Sequence, residues 1–462
     1  MNNHQPLCKD FSAERLMHKG IKMRSIKPIV TSFGLCFFLS ACGTRDDVQT
    51  TVDNGVSATT VEEKTTAHID DRNAGVDVFF SNAFDRSFYT EGFALHYSNH
   101  GRLQIFDVKT KEDHVYCFDP GCEHKRGKRS ITGEVLEAGC IAYELSSSTI
   151  MPQDDNCYFM KDTGEVIRSD LQGMNQRAIG SLPPYLNYNN AHDIFYSKDS
   201  LFVIFDLPYE MIEVKDENGE SSWIVGGLKD KDTRGIIQID LNNGTRSEVF
   251  SAEDYNSYLS QTDVRGDHMY FAYWYCDIPY MDMFGETYGR TIPEELKGLS
   301  PEEYREELNK RRWVDVYDYN ISTGELTASL KHKHVEEGNI AFCKDFFALS
   351  EDENTSGLYR YDGERFRELD FGIQVTVRSD DHLICCSNKD PGNYMQIDEN
   401  TGEVLKRIKT PVSYDTFLPS VIIGESCYGL LNINGVSAGG YVPASDFWNG
   451  DITNAVQFMQ EE

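Results

Sequence analysis

The chain has 462 residues, of which 40% are hydrophobic and 12% aromatic, so it can bury a substantial core and is not disordered throughout. Its 75 acidic against 44 basic side chains give a formal net charge of −31. An acidic surface of that size is repelled by nucleic acid and by anionic lipid, which excludes nucleic acid as a partner.

Residues 1–42 read as a lipoprotein signal region. Arg24 and Lys27 supply a positive flank, and Ile29 to Leu39 form a short apolar run. A membrane-spanning helix needs about 20 apolar residues, so this run does not cross a bilayer. Leu39-Ser40-Ala41-Cys42 matches the lipobox, in which the cysteine sulfur is diacylated and the cysteine becomes the new N-terminus. The expectation is an extracytoplasmic protein held to the cell membrane through lipidated Cys42, with Met23, just before Arg24, as the true start. The competing reading is an ordinary secretory signal in which Cys42 is a spectator. Residues 43–75 are rich in Thr, Asp, Val and Glu and have no aromatic residue, as expected of a disordered acidic tether. Flexible chain of this length spans roughly 30 Å.

Residues 76–462 alternate short apolar strands with turns. Six segments repeat one layout: a strand, an Asp or Asn, a polar turn usually containing Gly, then a second strand. Their anchor residues are Asp107, Asp170, Asp240, Asn320, Asp362 and Asp398. Asp or Asn caps such a turn with its side chain, and Gly supplies a positive φ. The anchors are 63, 70, 80, 42 and 36 residues apart. The short intervals suit one four-stranded propeller blade, and the long ones suit a blade with an insertion. A further unit is expected from Ser426 to Phe458, closing the ring with the strand near Val76 to Tyr97. The expected fold is all-β, a propeller of six to eight blades with seven favoured; two β-sandwiches are the alternative. One helical insertion, about 285–312, interrupts the pattern. There Ser300-Pro301-Glu302-Glu303 is a capping box with Pro at the first helical position, and Tyr304 and Leu308 share a helix face.

With Cys42 lipidated and Cys8 and Cys36 removed, nine of the twelve cysteines remain. An odd number is no complete disulfide framework, and several sit in apolar runs where they read as small buried hydrophobes. Cys117, Cys122 and His124 form a tight local group, with Cys140 sixteen residues further on. Three thiols and an imidazole meet the ligand count of tetrahedral zinc. Three other readings stay open: a disulfide between two of the three cysteines with His124 a bystander, redox or catalytic thiol use, and unpaired thiols. In the metal and disulfide readings the group is structural.

The pattern Cys117-x-x-Pro120-x-Cys122-x-His124…Cys140-Ile141-Ala142-Tyr143, following the first repeat hairpin, resembles that of lipoproteins of Gram-positive gut anaerobes with a TolB-like β-propeller domain. The chain departs from those lipoproteins by inserting Lys125 to Gly139 before Cys140. The resemblance implies a propeller and brings no activity with it.

Aromatic residues concentrate at Tyr273, Trp274, Tyr275 and Tyr280, with Asp277 among them. Exposed Tyr and Trp stack on sugar rings and acids bond hydroxyls, so these five are candidate ligand-binding residues. The competing reading is that they pack between blades. There is no P-loop, no strand-linked GxGxxG, no G-x-S-x-G and no H-E-x-x-H, and no catalytic residue is assigned. The sequence points to a binding or scaffold module for a ligand or envelope protein. The alternative is a glycan-binding or glycan-hydrolysing surface protein. On the lipobox reading, Cys42→Ala moves the protein from the membrane to the soluble fraction on cell fractionation, and a variant that still pellets with membranes refutes it.

Overall fold

The computed structural model describes residues 80–82, 87–89, 93–97 and, with short interruptions, 102–458. The signal region, Cys42, the tether and residues 76–79 lie outside the described residues.

The described strands form antiparallel meanders. Blade 1 runs through Phe80–Asn82, Ser87–Tyr89, Phe93–Tyr97, Leu103–Asp107 and Glu112–Val115; blade 2 through Ile150–Gln153, Asn156–Met160, Glu165–Asp170 and Arg177–Ser181. A seven-stranded sheet follows: Ala191–Ser197, Ser200–Lys215, Ser221–Asp240, Arg246–Arg265, His268–Cys276, Arg312–Asn320 and Glu325–His334. Its fourth strand changes partner midway. Up to Asp254 it pairs with Ser221–Asp240, and from Tyr255 it pairs with His268–Cys276. Divided there, the sheet is blades 3 and 4. Blade 5 spans Ile340–Phe342 to Arg365–Leu369, blade 6 Ile373–Val377 to Val404–Lys409, and blade 7 Phe417–Ile423 to Val456–Gln457.

Strand periodicity sends successive side chains to opposite faces, so each blade contributes to two cores. Met269, Phe271 and Tyr273 pack against blade 3, whereas Tyr270, Ala272 and Trp274 pack against blade 5. Cys385 joins the core with blade 5 and its neighbour Cys386 the core with blade 7. Blades 1, 2 and 3 share one continuous core. The circuit ends where it began: Val421, Tyr428, Tyr441 and Phe458 at the C-terminal end pack on Tyr89, Ala94 and Phe106 of blade 1. Tyr89 stacks on Tyr428 with centroids 4.7 Å apart, and Phe458 lies 4.8 Å from Phe106. The fold is therefore the all-β propeller read from the repeats. Among the described residues the seam closes by side-chain packing, with no strand exchanged between blades 1 and 7.

The six repeat hairpins join the last two strands of blades 1 to 6. Asp107, Asp240 and Asp398 each accept two backbone N–H bonds from the turn that follows, and Asn320 and Asp362 accept one. Gly244, Gly324 and Gly402, four residues after their anchors, have φ of 73°, 72° and 71°. In blade 1 that position is Lys111, forced to φ 61°. In blade 7 the last two strands are joined by a short helix instead, Ala444–Asn449, whose Phe447 is buried between blades 6 and 7 and whose end is capped by left-handed Gly450.

The helical insertion leaves blade 4 at Cys276 and returns at Arg312, beginning about eight residues earlier than the sequence suggests. Its helix, Pro301–Lys310, has the expected reciprocal cap between Ser300 and Glu303. Tyr304 and Leu308 close a small core with Cys276, Ile278, Met281 and Leu296. Arg290 pairs with buried Asp232, which ties the insertion to blade 3.

The seam sets a stability test. Phe458 is 1% exposed, so Phe458→Ala should cost about 3–5 kcal/mol in urea unfolding, the usual cost of deleting a buried phenyl ring. Phe284, at 77% exposure, is the control: Phe284→Ala should change stability by less than about 0.5 kcal/mol.

Candidate metal centre

The last strand of blade 1 ends at Val115, and the chain then runs to blade 2 through a long connection. Tyr116 is fully buried and fixes the start of that connection in the shared core. A turn follows, in which Cys122 N donates to Asp119 O at 3.1 Å and Gly121 N to Asp119 Oδ1 at 2.8 Å. This turn brings Cys122 back beside Cys117. The basic insertion then departs and returns, its ends joined by the Cys140 N to Lys125 O bond of 2.9 Å. Cys140 precedes the short helix Ile141–Glu144. That helix is seated by the blade 2 hairpin, because Gly173 approaches Ile141 so closely that a Cβ there would lie 2.4 Å from it.

The ligating atoms of Cys117, Cys122, His124 and Cys140 all lie within 4.8 Å of one another. Cys140 Sγ is 3.5 Å from His124 Nδ1. Tetrahedral zinc, with bonds of about 2.3 Å to sulfur and about 2.0–2.1 Å to nitrogen, spaces its donor atoms roughly 3.5–3.8 Å apart. His124 takes a left-handed backbone, φ 52°, which costs a non-glycine residue about 1–2 kcal/mol. Its imidazole is aimed into the cluster at that cost.

The sulfur environment suits thiolates that have a cation to neutralise them. Burial pushes the Cys140 thiol up to about 12 and raises that of Cys117, so without a counter-charge both are neutral thiols. The backbone amides of Ala142 and Asp119 act in the opposite sense on Cys140 and Cys117. The amide of His124 meets Cys122 Sγ at 3.4 Å. Each sulfur is thus served by the amide two residues further on. N–H groups directed at sulfur stabilise its anionic form, and a divalent cation completes the balance. The four residues can hold a metal ion.

The aromatic candidates are not gathered into one site. Trp274 is fully buried between blades 4 and 5 against Tyr258, and Tyr273 is buried on the blade 3 side. Tyr280 packs in the insertion core, while Asp277 accepts from Trp313 Nε1 at 2.8 Å. Tyr275 donates to Asp315 at 3.3 Å and meets His332 Nδ1 at 2.9 Å. Tyr317 also donates to Asp315, and Tyr273 to Asp254. Burial raises the carboxyl pKa of Asp254. His332 stacks on Trp313 at 3.8 Å, and His334 meets the same ring edge-on at 5.4 Å. These groups are occupied with one another.

One feature escaped sequence reasoning. The second and third strands of blade 3 run past the blade and pair as a two-stranded arm, Tyr209–Lys215 with Ser221–Leu228. Its signal is present as Asn218-Gly219 between two alternating apolar runs, a hairpin pattern hidden inside a long repeat interval.

No family model and no curated protein matches the chain. Among solved structures, BamB from Moraxella catarrhalis is 9% identical, over 73% of this chain and 78% of its own, with a TM-score of 0.35. An oligogalacturonate lyase from Vibrio parahaemolyticus is 11% identical over 80% and 92%, with a TM-score of 0.41. A puromycin-hydrolyzing peptidase from Mycobacterium tuberculosis is 10% identical with a TM-score of 0.44; the match covers 83% of this chain and 53% of the peptidase.

Cobalt(II) tests the centre directly. Added to the reduced protein, it should give the intense visible bands of a tetrahedral thiolate site, and these should be lost in Cys117→Ser and weakened in His124→Ala. A spectrum matching that of octahedral aqueous cobalt would refute the centre.

Proposed function

We propose that the chain is a membrane-anchored extracytoplasmic β-propeller lipoprotein serving as a binding or scaffold module. Acylated Cys42 holds it at the cell membrane, and a structural zinc ion on Cys117, Cys122, His124 and Cys140 braces the connection between blades 1 and 2. One observation carries the reading: the four ligands lie in a link between blades, and together they fill every position of a tetrahedral ion. A catalytic zinc keeps a position open for water or substrate. The ion here would supply cross-linking, joining two stretches of a connection that has little regular structure. The lipobox and the resemblance to propeller lipoproteins of Gram-positive gut anaerobes supply the location.

The alternative, a glycan-binding or glycan-hydrolysing protein, has less support. Its aromatic candidates divide between two blade interfaces, the insertion core and the surface, and Trp313 is stacked against His332.

Protein purified under anaerobic conditions should contain about one zinc per chain, the stoichiometry of a single four-ligand site. Removing it with a chelator should lower the Tm, and Cys140→Ser should reproduce that loss without further change on chelation. Zinc-free protein with Cys117 and Cys122 joined in a disulfide would overturn the metal reading.

A further inference from the structure

The blade 3 arm is built unlike the rest of the molecule. Directly paired residues share a face, so Ile212 lies with Ile224 and Val214 with Ser222, while Met211 lies with Val225 and Glu213 with Trp223. The Met211 and Trp223 face leans inward: Met211 packs on the core of blades 1 to 3, and Trp223 meets Tyr185 edge-on at 5.7 Å. The Ile212 face is turned to water. Ile212 is 44% exposed, Val214 39% and Ile224 50%. Leu228, and Val225 on the Met211 face, are also exposed.

Among the described residues both outer edges of this ribbon are open. The inner neighbour, Ala191–Ser197, pairs only as far as Phe205, and the other neighbour, Arg246–Arg265, begins pairing at Asp232. Among the described residues no strand continues either side along the arm. Natural sheets blunt such edges with lysine, proline or bulges, because an open apolar edge recruits another chain. Here the Gly226-Gly227 irregularity lies near the base, and the stretch beyond it stays regular from Met211 to Lys215.

Charge decides among the possible occupants. Positions 208–228 hold five acids, Glu210, Glu213, Asp216, Glu217 and Glu220, against the single base Lys215. Glu210 and Glu213 are exposed. The lysines at the base are already paired, Lys229 with Glu253 and Lys231 with Asp254. A second copy of this chain would bring the same acidic arm and an acidic body, and an anionic lipid surface would repel it. A polypeptide with alternating apolar and basic residues fits both halves of the surface.

We infer that the arm docks an extended, basic segment of a partner protein by strand addition to its open edge. Ile212, Val214 and Ile224 receive apolar side chains on one face, and Glu213, on the opposite face, meets lysine or arginine. The inference rests on the reading of the chain as a binding module and names the element that binds.

The test uses the whole protein and a labelled eight-residue peptide of alternating valine and lysine, read by fluorescence anisotropy. A peptide of alternating serine and lysine carries the same charge without the apolar face. The valine peptide should bind and the serine peptide should bind far more weakly. The exposed pair Ile212→Ser with Ile224→Ser should leave the thermal melt unchanged and weaken the valine peptide by about tenfold or more, the worth of burying one such side chain. Glu213→Gln should weaken the valine peptide and reduce the salt dependence of its binding. Equal binding of both peptides, unchanged binding by the isoleucine pair, or no binding at all would overturn the inference. So would self-association, or flotation with phosphatidylcholine vesicles, that the isoleucine pair abolishes, because the face would then belong to a second copy or to lipid. None of these outcomes bears on the Cys42 anchor or the metal centre, which fail by their own measurements.

Discussion

The structure depends on a closed circuit of sheet faces. A blade in the middle of the chain buries one face on the blade before it and the other on the blade after it, because alternate residues of each strand point opposite ways. Any open series of such blades leaves two apolar faces in water. Here those would be the blade 1 face carrying Tyr89, Ala94 and Phe106 and the blade 7 face carrying Val421, Tyr428 and Tyr441. Packing them together removes both exposed faces at once. Phe458, inserted against Tyr89 and Phe106 and stacked on the His96 ring at 4.9 Å, fills the joint. His96 in turn meets both Asp113 carboxylate oxygens at 3.0 Å, so the seam contains a satisfied polar pair.

Closure also sets what the rest of the chain is free to do. With every sheet face committed, departures from the repeat must leave at blade ends. The insertion between Cys276 and Arg312 carries its own small core and a capped helix, and it is anchored by Arg290 on Asp232. The arm is made by lengthening two strands already in register, which extends a hairpin without disturbing the blade beneath. The link between blades 1 and 2 is different. It is long, it has little regular secondary structure, and it lies over the shared core of the first three blades. Such a segment has few backbone bonds to order it, and a four-ligand cluster is an economical means of ordering it.

Much of this was legible because the signals were local. The Asp and Asn anchors mark six blade-end hairpins, since the capping side chain and the left-handed glycine act within five residues. The Ser300 capping box likewise gave its helix start. The Cys117, Cys122 and His124 spacing was visible for the same reason, and Cys140 joined them although an insertion separates it in sequence. What failed to show depends on neighbours distant in sequence. Nothing local separates Trp274, sealed against Tyr258 between blades 4 and 5, from Tyr275, which reaches the surface one residue on. Lys111 holds a glycine position because the hairpin of blade 1 compels it, and no propensity would choose it. The arm's own turn signal was present, but read as part of one long repeat interval.

The nine cysteines among the described residues sort by environment. Cys157, Cys276, Cys343, Cys385, Cys386 and Cys427 are all buried in apolar cores, and burial raises the pKa of Cys157, Cys276, Cys343, Cys385 and Cys427, which withholds the reactive thiolate. Cys385 and Cys386 face opposite blades although adjacent in the chain. These six behave as small hydrophobes. The remaining three converge with an imidazole at a surface link, where backbone amides reach the sulfurs and Cys117 and Cys122 are half-buried. Three thiols cannot all pair as disulfides within one chain, but three thiolates and one neutral imidazole do complete a tetrahedral ion. The count that is awkward for a disulfide framework is the natural one for a Cys3His centre.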